Sequence, residues 1–100
     1  MAWKTVQVRT IPNADTPFEK MSDEVINYIK TNYDDTGKRT SFSVSQSADG
    51  LVLTYTSVYS SEATRNEMKN DSTISAEAAR RNKINEDRGI TREMTVDEEI

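Results

Sequence analysis

Residues 41–58 decide the fold, and they read SFSVSQSADGLVLTYTSV. Asp49-Gly50 is a strong signal for a two-residue turn, because both residue types tolerate a positive φ. A turn at this point predicts a β-hairpin with Val44 opposite Tyr55, so that one face is largely apolar and the other is rich in hydroxyl groups. The other cross-strand pairs that this turn predicts are Ala48–Leu51, Gln46–Leu53, Phe42–Ser57, Ser47–Val52, Ser45–Thr54, Ser43–Thr56 and Ser41–Val58.

Two elements are predicted before the hairpin. Residues 3–11 alternate with period two and are rich in β-branched side chains, which predicts a first strand. Thr16, Pro17 and Glu19 predict a helix start, with a capping hydroxyl, a proline at the first helical position and a capping-box carboxylate. Apolar residues then recur every three or four positions and predict a helix of about four turns: Phe18, Met21, Val25, Tyr28, Ile29 and Tyr33.

A broken helix and a last strand are predicted after the hairpin. Residues 62–70 form a first helical piece, and the polar run that follows interrupts it. Ser75 is placed to cap a second piece over residues 76–88. Residues 90–96 alternate again and predict a fourth strand, and residues 97–100 predict a loose acidic tail.

The predicted order is β-α-β-β-α-β, which is the ferredoxin-like order of an α+β fold. It implies a four-stranded antiparallel sheet with two helices on one face, the second helix being broken. Right-handed crossover connections leave few competing topologies. We therefore expect a single domain over residues 1–96, followed by the acidic tail at 97–100.

The composition excludes several chemistries. The 100 residues include no Cys and no His, which removes thiol nucleophiles, disulfides, Ser-His-Asp mechanisms and the commonest metal ligand. We expect no cofactor and no metal site. The net charge of −4 disfavours general nucleic-acid binding. No run of signal-peptide or membrane-span length is present, so we expect no membrane partner and a cytoplasmic protein.

The supply of large apolar side chains is small. Leu, Ile, Val and Phe make up 18 of the 100 residues, and a domain of this size buries only a modest share of its surface. The core is therefore expected to be thin, and association with a second copy is expected. We predict a homodimer with Trp3, Val52 and Val58 in its interface.

The face of the sheet away from the helices is the main candidate for function. We assign Val6, Val8, Phe42, Val44, Leu53, Tyr55, Ile90, Met94 and Val96 to the helix side. The opposite face then carries Trp3, Thr5, Gln7, Arg9, Ser41, Ser43, Ser45, Ser47, Thr54, Thr56, Thr91, Glu93 and Thr95. This face is either a solvated sheet surface or a lining for a dimer cavity or a small polar ligand. The candidate ligand-binding residues are Arg9, Thr54, Thr56 and Glu93.

The layout resembles that of the small dimeric α/β-barrel proteins, of which the antibiotic-biosynthesis monooxygenase-like group is one. The resemblance rests on the element order and on the stretch from Tyr55 through Ser60-Ser61-Glu62-Ala63 into a broken helix ending Arg88-Gly89-Ile90. It implies a dimer in which two sheets stack face to face. The haem-degrading members use a His that has no counterpart here, so no catalytic residue is carried over.

The RNA-recognition motif shares this order but requires aromatic residues in the middle strands on the face away from the helices. Because Phe42 and Tyr55 are assigned to the helix side, that alternative is disfavoured.

Three classes of function remain open. The first, which we favour, is a small self-associating, non-enzymatic interaction or regulatory protein with a protein partner. Short, acidic, Cys-free chains of this kind are common among virus-encoded accessory proteins. The alternatives are a binder of a small polar ligand at the hydroxyl-rich face and a cofactor-free oxygenase or isomerase of the dimeric-barrel type. We favour stacking with a hydrated interior, because Trp3, Val52 and Val58 would otherwise be exposed.

Overall fold

In the computed structural model, which describes residues 1–100, the chain forms an α+β fold. The elements are β1 (Trp3–Thr10), α1 (Asp23–Ile29) with a π-helical turn (Lys30–Asp34), β2 (Arg39–Gln46), β3 (Val52–Tyr59), α2 (Glu62–Asn70), α3 (Ser72–Asp87) and β4 (Thr91–Glu99). All strand pairs are antiparallel, in the order β2-β3-β1-β4. The predicted α+β class and four-stranded antiparallel sheet are confirmed, with three helices rather than two. No helix combines the length and the apolar character needed to cross a bilayer.

The hairpin of β2 and β3 has the predicted register, with Val44 opposite Tyr55. Gly50 has φ +77°, as expected, but the Gly50 N–H donates to the Ser47 carbonyl at 2.9 Å. The turn is therefore centred on Ala48 and Asp49 rather than on Asp49-Gly50. The Asp49 carboxylate accepts hydrogen bonds from Ser47 Oγ at 2.6 Å and from Leu51 N at 3.0 Å, and these local bonds stabilise the turn centred on Ala48 and Asp49. The register is unchanged because Ser47 N donates to Val52 O at 2.9 Å and closes a loop of residues 48–51, whose midpoint is the same as that of the predicted two-residue loop.

Helix α1 begins later than predicted, with Ser22 as its N-cap rather than Thr16. Residues 17–22, here called the linker segment, form no helix because side chains of α3 bind their backbone. Asn85 Oδ1 accepts from Glu19 N at 2.9 Å, and Asn85 Nδ2 donates to Glu19 O at 3.1 Å. A carboxylate oxygen of Glu77 accepts from Ser22 N. These tertiary bonds override the local helix-start pattern.

The break in the second helix is confirmed, but its capping residue is Asp71 rather than Ser75. Asp71 has extended backbone angles, and its Oδ1 accepts from Thr73 N at 3.0 Å and from Ile74 N at 3.4 Å. Aspartate is one of the most favourable N-cap residues. Ser75 consequently lies inside α3, and the interruption is a single residue.

Strand β4 extends through residues 97–99, so the predicted loose acidic tail is wrong. Asp97 lies opposite Thr5, and Ile100 N donates to Ala2 O at 3.0 Å. Two side chains bind the Asp97 carboxylate: Trp3 Nε1 donates at 2.6 Å and Arg65 Nη2 at 2.7 Å. The favourable partners of Asp97 thus hold the end of the strand in the sheet.

Strand β1 presents to the helices the face opposite to the predicted one. Arg9 is 1% exposed, and its Nη2 donates to Asn82 Oδ1 of α3 at 3.1 Å. Val6 and Val8 alternate with Arg9 and therefore lie on the other face. The prediction that turned Val6, Val8 and Val96 toward the helices is wrong. So is the prediction that placed Trp3, Thr5, Gln7 and Arg9 away from them.

Hydrophobicity alone misassigned β1 because both of its faces carry apolar or β-branched residues. Ile11 follows in the same phase as Arg9, is buried, and donates its N–H to Leu51 O at 2.7 Å. Trp3 has the same phase at the other end of the strand and bonds to Asp97. These contacts at the two ends of β1 therefore orient Arg9 toward the helices and place Val6 and Val8 on the opposite face.

The core is thin and partly polar. Ten of the 100 residues are buried, and four of these are polar: Thr5, Arg9, Ser57 and Asn85. A small apolar cluster of Ile29, Tyr33 and Ile74 joins α1 to α3. Hydrogen bonds of polar side chains, which join α3 to β1 and to the linker segment, therefore contribute much of the contact between elements.

Replacing Asn85 with Leu is expected to destabilise the protein by about 2–4 kcal/mol, since it leaves the partly buried N–H and carbonyl of Glu19 without partners. The measurement is urea-induced unfolding followed by circular dichroism. Asn27→Leu, at an exposed position of α1, is the matched control and is expected to change stability by less than about 0.5 kcal/mol. Equal stability of the two variants would contradict the role assigned to Asn85.

Candidate functional site

The structure divides the predicted ligand-binding residues between the two faces of the sheet. Thr54 lies opposite Val8 on β1, and Val8 lies opposite Glu93 on β4. Directly opposed residues of antiparallel strands share a face, so Thr54 and Glu93 flank Val8. Thr56 lies on the same face. Arg9 is on the helix side, and the predicted four-residue site is not assembled.

The predicted interface residues are divided in the same way. Val52 and Val58 lie opposite Thr10 and Lys4, on the face away from the helices. Trp3 lies on the helix side, where its indole N–H donates to Asp97. Val52 and Val58 therefore remain available for association, and Trp3 is committed to holding β4.

The helices pack on one face of the sheet, and we call the opposite, uncovered face the outer face. This face is more apolar than the sequence predicted, because Val6, Val8 and Val96 lie there together with Val52 and Val58. Hydroxyl groups are concentrated toward β2, and charged residues lie at its margins. The outer face is formed by Lys4, Val6, Val8, Thr10, Ser41, Ser43, Ser45, Val52, Thr54, Thr56, Val58, Thr91, Glu93, Val96 and Glu98.

On the helix side, Arg9 is enclosed by neutral groups. Its Nη2 donates to Gln7 Oε1 at 3.0 Å and to Asn82 Oδ1 at 3.1 Å. Its Cζ lies 5.7 Å from the Tyr55 ring centroid and 6.0 Å from the Phe18 ring centroid. Both distances are within the range of cation–π attraction. Phe18 belongs to the linker segment, so the bonds from α3 to that segment also hold a ring over Arg9.

Two further arginines lie near Arg9, and together the three form what we call the arginine cluster: Arg9, Arg81 and Arg92. The Nε atoms of Arg9 and Arg81 are buried and have no hydrogen-bond partner. Arg92 lies opposite Arg9 on β4, and its Nη2 is 3.6 Å from Glu86 Oε1. No ion pair of the structure includes Arg9 or Arg81.

The electrostatics of the arginine cluster disfavour its positive charge. Burial, followed by the charge of Arg81, lowers the pKa of Arg9 to about 10. Burial is also the main cause that lowers the pKa of Arg81. Arg9 still carries its proton at neutral pH, so the fold holds a buried cation without a carboxylate counterion. Such groups are costly unless they are paired.

A second polar cluster joins α1 to the break between α2 and α3. Tyr28 and Tyr33 both donate their hydroxyl protons to Asp71 Oδ2, at 2.8 Å and 2.7 Å. Beside it lies an open groove of about 500 Å³, lined by Tyr28, Asn32, Tyr33, Lys38, Glu67, Asn70 and Asp71.

The Asp71 cluster has the chemistry of a structural junction. Burial and the hydrogen bond to Asp71 raise the pKa of Tyr33, and the bond to Asp71 raises that of Tyr28. Burial alone would raise the pKa of Asp71, but the bonds from both tyrosines and two backbone N–H groups lower it overall. Neutral phenols and a fully bonded carboxylate offer no free base. No group of three or more acidic side chains is arranged to hold a metal ion.

Sequence reasoning missed the contribution of α3 to both polar clusters. In the sequence, the basic stretch with Arg80, Arg81, Lys83 and Arg88 is typical of a solvated helix face. The spacing of Arg81 and Asn85, four residues apart, places them on one side of a helix. That spacing could have indicated a polar stripe on the packed side of α3.

Comparisons with known proteins identify no family. No family model matches the sequence, and no curated protein matches it. Among solved structures, the chain is similar to Rv0793 from Mycobacterium tuberculosis, with 16% sequence identity and a TM-score of 0.48. The match covers 98% of this chain and 99% of that chain. A similarity of this degree assigns no activity.

Replacing Asp71 with Ala is expected to destabilise the protein by about 2–4 kcal/mol, because it removes an N-cap and leaves two phenols without their acceptor. Thermal or urea unfolding measures the effect. Asp87→Ala is the control, since Asp87 is mostly exposed and pairs only with Lys83 at 3.4 Å. A loss no larger than that of the control would show that the Asp71 cluster does not join the helices.

Proposed function

We propose that the protein is a small self-associating, non-enzymatic interaction module, and that its working form is a homodimer in which the outer faces of two sheets stack. The observation that carries this proposal is the uncovered stripe of valines on the outer face. Sheets exposed to water on one side normally alternate apolar residues toward the core with polar residues outside. Here β1 does the reverse, with Arg9 inside and Val6 and Val8 outside.

The strand order supports the ferredoxin-like interpretation on which the stacked geometry rests. Counted from the other edge, the order β2-β3-β1-β4 becomes β4-β1-β3-β2. The first and third strands are then central, and each half of the chain contributes one strand-helix-strand crossover. Taking α2 and α3 as one broken helix gives the β-α-β-β-α-β order. The same layout underlies the resemblance to the dimeric α/β-barrel proteins.

The size of the outer face suits a specific dimer. Four strands of about eight residues, at about 3.3 Å per residue and 4.8 Å between strands, present roughly 500 Å² on one face. Two stacked faces would remove about 1,000 Å² from water, which reaches the lower range of specific interfaces. Because each dry, unpaired hydroxyl costs about 1–3 kcal/mol, the hydroxyls of Thr54 and Thr56 must pair across the interface or bind water in it.

The alternative of a polar ligand at the outer face loses support, because its main cationic member, Arg9, lies on the helix side. Thr54 and Thr56 are neighbours on β3, but Val8 separates Thr54 from Glu93. A protein partner could occupy the outer face in place of a second copy. The proposal commits to the second copy, because two stacked outer faces would cover both valine stripes and remove from water an area in the lower range of specific interfaces.

Sedimentation of the protein at micromolar concentration tests the proposal, and we expect a dimer. Thr56→Lys, at the centre of the outer face, is expected to give a monomer, because it places a charge in the stacked interface. Thr31→Lys is the matched control at an exposed helical-turn position and should remain a dimer. Circular dichroism confirms that both variants fold.

Two results would contradict the proposed function. The first is a wild-type protein that sediments as a monomer over the whole accessible concentration range. The second is a folded Thr56→Lys variant that dimerises as well as the wild type, which would mean that any association uses an edge strand or the helices.

A further inference from the structure

The arginine cluster is separate from the outer face and is not used by the proposed function. It contains two arginines, Arg9 and Arg81, whose Nε–H donors are buried and have no acceptor. Arg9, the more deeply buried of the two, is 1% exposed. Proteins rarely leave a buried donor unsatisfied, and each such group in a native structure requires an explanation.

Packing alone does not explain the arginine cluster. Buried ions contribute little to stability even when paired, and apolar residues of similar volume often serve better. Arg9 and Arg81 repel each other and also Arg92, as the lowering of the pKa of Arg9 by both neighbours shows. A chain with 17 acidic residues places none of them in an ion pair with Arg9 or Arg81. No carboxylate of the chain therefore balances the charge of Arg9 or Arg81 in an ion pair.

The orientation of Arg9 prepares it for an oxyanion. Asn82 and Gln7 both bind Nη2, which fixes the plane of the guanidinium and leaves the Nε–H donor free. Tyr55 and Phe18 flank the group and restrict its movement. Because these two bonds use both protons of Nη2, Arg9 offers an oxyanion its Nε–H as a single charge-assisted donor.

From these contacts we propose that the arginine cluster binds a small oxyanion, a carboxylate or a phosphate group, between α3 and the strands β1 and β4. Arg9 and Arg81 supply the free Nε–H donors, and Arg92 supplies further positive charge at the margin. The site differs from the one predicted from the sequence, which placed Arg9 with the hydroxyls of the outer face.

The ion pair between Arg92 and Glu86 marks the route of entry. It connects β4 to α3 at 3.6 Å, and both side chains are substantially exposed. Exposed pairs of this kind contribute little to stability, so an incoming anion can displace Glu86 from Arg92. The displacement would release Arg92 to the bound anion without breaking a strong contact.

Thermal unfolding of the full chain in inorganic phosphate and in benzoate, each against sodium chloride of equal ionic strength, tests the site. A ligand that binds only the folded state raises the melting temperature in a saturable manner. We expect such a rise with at least one of the two probes. A rise with phosphate alone identifies a phosphate group as the preferred ligand, and a rise with benzoate alone identifies a carboxylate.

Arg81→Gln is the informative variant, because its side chain takes part in no ion pair that would be lost. It is expected to weaken binding of the effective probe at least tenfold. Lys83→Gln, which removes one exposed charge from the same helix, should bind as the wild type does. Arg92→Gln should weaken binding by a smaller factor, since Arg92 lies at the margin.

A spectroscopic readout of the wild-type protein makes the test independent of variant stability. The Nε–Hε resonances of Arg9 and Arg81 should shift on titration with the effective probe and follow one saturation curve. The proposal is overturned if neither probe raises the melting temperature beyond chloride. It is also overturned if the Nε–Hε resonances stay unchanged, or if the Arg81→Gln and Lys83→Gln variants respond equally.

Discussion

The phase of strand β1 is the constraint on which the rest of the structure depends. Each residue of a strand points to one face or the other, so the position of one side chain fixes those of its neighbours. With Arg9 under α3, Val6 and Val8 must lie on the outer face. This phase gives the protein a buried cation on one side of the sheet and an uncovered apolar stripe on the other. The two proposals concern these two sides.

Polar bonds between layers compensate for the small supply of large apolar residues. Asn85 binds the backbone of Glu19 as a neighbouring strand would, and it thereby holds the linker segment against α3. Asp71 combines the cap of α3 with the acceptor for Tyr28 and Tyr33. Each bond of this type stabilises modestly when made and costs more when one partner is lost. The fold is therefore expected to be sensitive at a few polar positions.

The features that could be predicted from the sequence are those set by local patterns. The hairpin register followed from one turn and a strict alternation, and both the Val44–Tyr55 pairing and the positive φ of Gly50 are confirmed. The break in the second helix also followed from a local run of polar residues. Its cap was misplaced because Asp71 and Ser75 are both good N-cap residues, and contacts with the two tyrosines favour Asp71.

The features that could not be predicted depend on contacts distant in the chain. The start at Thr16 satisfied every local rule for a helix, but α3 binds the backbone of the following residues. The acidic residues 97–99 are typical of a loose tail, but in the structure Trp3 and Arg65 both donate hydrogen bonds to Asp97. The phase of β1 was ambiguous because both of its faces carry β-branched residues, Val6, Val8 and Thr10 on one face and Thr5 and Ile11 on the other. As a result, Arg9 was assigned to the wrong face of the sheet, and the predicted ligand-binding site that included it is not formed.

Thiol labelling of a Val8→Cys variant tests the central claim most directly, because the chain contains no other cysteine. If Val8 lies on an outer face covered by a second copy, labelling should be fast in dilute protein and at least tenfold slower at concentrations that favour the dimer. A Thr31→Cys control should be labelled at one rate throughout. Fast labelling of Val8→Cys at every concentration would show that nothing covers the outer face, and slow labelling of a Val8→Cys protein that sediments as a monomer would show that Val8 points toward the helices.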